Sequence, residues 1–210
     1  MTRAAWVLLG AALLLAIVDW VGCATGRMRL RWAGKPAALL LLITAALLLH
    51  PASELERGIF VAALILCLAG DVYLLLPDRY FLAALATFLL GQLAYSAGFI
   101  AAGLDWRRLA VTGATVAIVS VLVGGRVLGA LRERGGAPPA AILAYLLAIS
   151  AMVALAGGSP RPLALVGAAL FYLSDALIAW NRFVRRLPAA RVPIIATYHL
   201  GQGLLVLSLV

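Results

Sequence analysis

Long apolar runs, broken by charged residues or proline, make up most of this chain. They lie at about 4–22, 36–50, 58–76, 81–102, 107–129, 138–156, 162–180 and 193–210. Most have the length of a spanning helix, about 20 apolar residues; the run at 36–50 is short. The nine prolines fall at the ends of these runs, where a missing N–H costs a helix least, so the pattern predicts unbroken helices. The first run carries Asp19 and lacks a clear small-residue cleavage site, which argues against a removed signal peptide. The expectation is an all-α polytopic membrane bundle of about eight transmembrane helices, forming a single transmembrane domain over 1–210.

Composition agrees with the pattern. Of 210 residues 65% are hydrophobic and 12% charged, against about 25% charged in soluble domains. That leaves too little polar surface for a water-soluble fold. The net charge of +9 would suit a nucleic-acid binder, but its distribution points to membrane topology and to no nucleic-acid partner. Twelve of the 17 Lys and Arg residues fall in the connections after runs 1, 3, 5 and 7, and five on the other side. The positive-inside rule then puts the first group in the cytoplasm and both termini outside, in a bacterial inner membrane. Two cysteines, Cys23 and Cys67, make no disulfide framework.

The two halves echo each other. Gly70-Asp71 is followed one run later by Leu90-Gly91-Gln92, and Ser174-Asp175 by Leu200-Gly201-Gln202. This suggests a parallel duplication of four helices plus four; coincidence in an Ala/Leu-rich background is the alternative.

Polar residues inside the runs carry the functional signal. A charged group at mid-bilayer costs about 2.5–3.5 kcal/mol on the insertion scale. Asp19, Asp71 and Asp175 each lie in the last third of a run heading toward the basic side. Lys35 opens the second run, and Gln92, Tyr95, Tyr145, Tyr198, His199 and Gln202 reach a similar depth. Phe88, Gln92, Tyr95 and Phe99 fall on one helical stripe, and Tyr198 and Gln202 lie one turn apart. A polar cleft walled by runs 3, 4, 7 and 8, opening toward the basic side, follows. Asp19 reads as structural, within reach of water or Arg27. Asp71 and Asp175 are the functional candidates, with ion pairs to Lys35, Arg182 or His199 as the structural alternative. The tryptophans read mainly as an interfacial belt.

Lys35-Pro36, Gly70-Asp71, Phe88-x-x-Gly91-Gln92-x-x-Tyr95, Gly167-Ala168-x-Leu170-Phe171-x-x-Ser174-Asp175, Arg182-Phe183, Tyr198 and Gln202 together resemble the YhhN/TMEM86 family of integral membrane proteins. The resemblance runs over nearly the whole chain. Gln92 departs from it, standing where the family often has His. Characterised members are lysoplasmalogenases, so the resemblance implies hydrolysis of the vinyl ether of a lysoplasmalogen to a fatty aldehyde and a glycerophospho-base. The lysophospholipid substrate would reach the site from the surrounding membrane lipids. Carboxyl acid/base catalysis suits that reaction. Asp71 and Asp175 are its catalytic candidates, with the roles of acid and carboxylate unassigned between them. Lys35 and Arg182 are candidates for the lipid phosphate. Tyr95, Tyr198, His199 and Gln202 would position water and glycerol, and Gln92, Ser174 and Asn181 are further substrate-binding candidates. No organic cofactor is required, and a metal held by two Asp and His199 would have a thin ligand set. The alternative is a lysolipid or small-solute transporter that uses the same intramembrane acids.

Overall fold

In a computed structural model of the chain, residues 2–51 and 53–210 are described. Among them run eight α-helices: α1 Arg3–Thr25, α2 Met28–Leu48, α3 Glu54–Leu75, α4 Phe81–Ala101, α5 Trp106–Arg134, α6 Pro139–Gly158, α7 Pro162–Ala179 and α8 Arg191–Leu207. There is no strand among the described residues. Seven of the helices are long and apolar enough to cross a membrane. α8, at 17 residues, is about 25 Å long, somewhat short of the ~30 Å hydrocarbon core. The chain is an integral membrane protein built as a helical bundle.

Local chemistry sets the helix ends. Thr2 accepts a hydrogen bond from the Ala5 amide, and Ser53 accepts one from the Glu56 amide. Asp105 caps two amides at the start of α5, and Pro139 and Pro162 open α6 and α7. Gly26, at φ 70°, ends α1 in the left-handed region. The chain then turns at once into α2, so α2 starts at Met28 and takes in Arg29, Arg31 and Lys35. The sequence reading began this helix at residue 36 and kept every proline at a helix end. The structure corrects both points: Pro36 lies inside α2. There it withholds the N–H that would have bonded the Trp32 carbonyl. A hydropathy window misses these roughly two turns because Arg29, Arg31 and Lys35 are basic.

Helices pack chiefly as sequential hairpins, α1 with α2, α3 with α4, α5 with α6 and α7 with α8. α4 also packs on α6, and α2 on α8, the exchange expected of two four-helix halves. Close approaches recur in the same way. A Cβ at Gly91 of α4 would sit 2.9 Å from Cys67 Sγ and 3.3 Å from the Ala63 carbonyl of α3. A Cβ at Gly201 of α8 would sit 2.8 Å from the Gly167 carbonyl and 3.0 Å from the Phe171 amide of α7. α5 stands apart from this symmetry. It meets chiefly α6 and the π-helical turn Trp180–Val184 that extends α7.

At the end of the bundle away from the basic connections, Glu56 of α3 is buried and ion-paired to Arg161, the residue that caps α7. This buried acid lies in the first turn of its helix, where the sequence reads as an interface. α3 and α7 are therefore tied at this end.

The α7–α8 contact leaves no space for a side chain at either glycine. Gly201→Val is expected to destabilise the protein by about 1–3 kcal/mol through overpacking. Gly203→Ala, which would meet nothing within 4 Å, is the neutral control. Thermal unfolding in detergent measures both.

Candidate active site

Gly34 lets α2 press against α1. A Cβ there would stand 2.7 Å from the Asp19 amide and 2.8 Å from the Leu15 carbonyl. The next residue, Lys35, is buried and extends its ammonium to 2.8 Å from Asp71 Oδ1 on α3. The other Asp71 oxygen, Oδ2, accepts a hydrogen bond of 2.9 Å from the Tyr198 hydroxyl on α8. The Lys35 ammonium also lies 5.6 Å from the centre of the Tyr198 ring. Asp71 and Lys35 are 0% and 3% exposed, so this is an ion pair held within the bundle. Such pairs persist when the remaining hydrogen-bonding positions are filled, as Tyr198 does here.

Asp175 of α7 has the corresponding place in the other half, with different chemistry. Its Oδ2 accepts from the Tyr145 hydroxyl on α6 at 2.6 Å and from the Gln92 amide on α4 at 3.2 Å. Neither partner carries a positive charge. Asp71 thus meets α2 and α8, and Asp175 meets α6 and α4, so the exchange of helices is repeated at the acids. Asp19 is fully buried and pairs with Arg31 at 3.4 Å. It reaches neither water nor Arg27, the partners expected from the sequence.

Asp71, Asp175, Lys35, Ser174, Asn181, Arg182 and Tyr198, all singled out in the sequence, line one cavity of about 660 Å³. Its wall is wider than the four helices expected. Cys23, Arg31, Val127, Tyr145 and Leu146 bring in α1, α2, α5 and α6 as well. Gln92, Tyr95, His199 and Gln202 are buried but do not line it. Tyr95 donates to Gln202 Oε1 at 2.6 Å, a bond that ties α4 to α8 behind the acids. His199 Nδ1 accepts from the Trp20 indole at 3.0 Å, which turns that tryptophan inward from the interfacial belt. Phe88, Phe171 and Tyr198 pack edge to face beside Asp71.

The mouth lies among basic residues. Arg182 is engaged there: its guanidinium makes two 2.8 Å hydrogen bonds to Asp78 and covers the Phe81 ring at 3.8 Å. Asn181 Oδ1 accepts from the Leu187 amide and so shapes the link to α8. Arg191, the first residue of α8, is exposed, lines the cavity and has no ion pair among the described residues. Sequence reasoning did not select it, since one arginine among many near a helix start carries no distinguishing signal. Tyr145 was visible as a polar residue at the right depth, but its contact with Asp175 needed the tertiary structure. No group of three His, Cys, Asp or Glu side chains able to hold a metal occurs among the described residues.

The arrangement places two carboxyl groups with contrasting partners on a cavity that is charged at one end and apolar beyond. Comparison with known proteins gives it a family. The chain is 33% identical over 192 residues to a Mycobacterium tuberculosis protein named lysoplasmalogenase, covering 86% of this chain and 70% of that protein. It is 32% identical over 168 residues to the Homo sapiens lysoplasmalogenase TMEM86A, covering 78% and 68%. It is 33% identical over 150 residues to the Mus musculus lysoplasmalogenase TMEM86B, covering 70% of this chain and 61% of that protein. The chain thus spans about three fifths of the mouse protein's length. No solved structure matches it. The family model that matches covers residues 30–209, a span that holds Lys35, Asp71, Tyr145, Asp175 and Tyr198 with the helices that bear them, and the chain belongs to the YhhN family.

Proposed function

We propose that this protein hydrolyses the vinyl ether of a lysoplasmalogen, giving a fatty aldehyde and a glycerophospho-base. The observation that carries this reading is the pair of carboxyl groups on one cavity, Asp71 buried and ion-paired, Asp175 half-buried among neutral partners. The relatives named lysoplasmalogenase support the choice of substrate.

Cleavage of an enol ether begins with proton transfer to its β-carbon, which leaves an oxocarbenium ion. Water adds to that cation, and the hemiacetal collapses to aldehyde and alcohol. One proton enters at carbon, and the elements of one water molecule are consumed. The proton donor must be a neutral carboxylic acid, and a carboxylate must face the cation. Lys35 holds Asp71 as the carboxylate. Asp175, with Tyr145 and Gln92 hydrogen-bonded to it, has no cation in direct contact and takes the role of acid. The role for Asp71 is to stabilise the oxocarbenium ion and orient water, with Tyr198 fixing its second oxygen.

The lipid phosphate is assigned to Arg191 at the mouth, because Lys35 is engaged by Asp71 and Arg182 by Asp78. Ser174 donates to the Ile194 carbonyl, which sets the start of α8 and with it Arg191. The hydrocarbon chain lies along the apolar wall. With the Lys and Arg bias read as cytoplasmic, both termini face outward, and the substrate enters from the inner leaflet of a bacterial plasma membrane.

The test is aldehyde release from a lysoplasmalogen by purified protein in detergent. Asp175→Asn and Asp71→Asn are each expected to lower turnover by about 10²–10⁴-fold while the protein still unfolds cooperatively. Undiminished turnover in both variants, or lipid crossing a vesicle membrane chemically unchanged, would overturn the reading. Lys35→Met leaves Asp71 buried without its cation. It is expected to destabilise the fold by about 3–5 kcal/mol, and Lys35→Met with Asp71→Asn to recover much of that loss, as measured by thermal unfolding.

A further inference from the structure

Apolar residues of α4, α5 and α6, among them Phe88, Val123, Val127, Leu146 and Ile149, line part of the same cavity. Gly124 of α5 and Leu146 of α6 touch each other in its wall. Gly124 is buried, and a Cβ placed there would overlap the Leu146 Cδ2 methyl. The neighbouring Gly125 is exposed, and a Cβ there would meet nothing within 4 Å. Two glycines thus stand side by side in one long helix, where each weakens helix formation, but only Gly124 has a steric role.

The helices cannot easily move apart to restore the space. One turn before Gly124, the Ser120 hydroxyl lies 2.8 Å from Ser150 Oγ of α6 and 2.8 Å from the Tyr172 hydroxyl of α7. These contacts hold α5 against α6 and α7 beside the cavity. A side chain at position 124 would therefore displace Leu146, whose other surroundings include the cavity itself.

We propose that Gly124 and Leu146 set the bore of the cavity, and so determine which hydrocarbon chains pass the acids. This rests on the reading of the occupant as a single-chain amphiphile, and it assigns Gly124 as a specificity-determining residue. Chains short enough to end before this point are indifferent to it. Longer chains must pass the Leu146 side chain, which rests against the Gly124 backbone only because no Cβ stands there.

The experiment uses single-chain acyl phosphocholines from short to long. They lack a vinyl ether and so report binding without the proposed reaction. Thermal protection of the purified full-length chain in detergent gives an apparent affinity for each. Gly124→Ala is expected to weaken protection by long chains by about tenfold or more and to leave short chains unchanged. Leu146→Ala added to Gly124→Ala is expected to restore long-chain protection, and Gly125→Ala to match the unmodified protein. An equal loss at every chain length, no loss, or the same loss in Gly125→Ala would overturn the proposal. Leu146→Ala alone provides a second route if Gly124→Ala fails to fold. It should improve protection by kinked or branched chains, and an unchanged order of preference would overturn the proposal. A chain-length break without aldehyde release from a lysoplasmalogen removes the reaction and leaves the bore. Aldehyde release without a break removes the bore alone.

Discussion

A carboxylate placed inside hydrocarbon must find a cation, donors or water, and this bundle is arranged around that requirement at Asp71. The acid sits four residues before the end of α3, near the negative pole of the helix dipole, which adds to its cost. Lys35 answers the charge and Tyr198 the second oxygen. Three helices must be correctly placed for those two contacts to exist. The early start of α2 follows from the same need: if the helix began at residue 36, Lys35 would lie in the connecting segment. Gly34 brings the helix close to α1, and the cation is then fixed one residue later.

The second half of the chain meets the equivalent position in a different way. Tyr145 and Gln92 offer hydrogen bonds to Asp175 but no charge. The two acids therefore have different surroundings. A symmetric pair would share one chemistry; here the asymmetry lies in the partners, lysine against tyrosine, while the helix-to-helix relations are kept. Different partners thus give two carboxyl groups on one cavity different surroundings.

Much of the architecture was legible in the chain because hydrocarbon imposes a simple rule on length and polarity. The helices after the second lie close to their apolar runs, and the depth shared by Asp71, Asp175, Tyr198 and Lys35 showed as residues that hydropathy alone would exclude. The α2 start was hidden because Arg29 and Arg31 look like loop residues, although they lie on a helix whose other face is packed. Rotation about the helix axis was harder to read. Gln92 and His199 have the depth of the site, but their side chains go to Asp175 Oδ2 and to Trp20 and do not line the cavity. One residue of error along a helix is 100° of rotation, enough to turn a cavity residue into a packing residue. The places of Gly124 and Arg191 depend on tertiary contacts with no sequence periodicity behind them.

The ion pair between Glu56 and Arg161 has a mechanical consequence. It fastens together the outer ends of the two helices that carry Asp71 and Asp175, while the contacts of Lys35, Tyr198, Tyr145 and Gln92 brace them deeper down. The spacing of the acids is thus set by a stiff frame. α5 is attached on fewer sides, with much of its surface turned outward from the bundle. The Ser120, Ser150 and Tyr172 contacts hold α5 to that frame, so a tail lodged beside it meets a wall of fixed width.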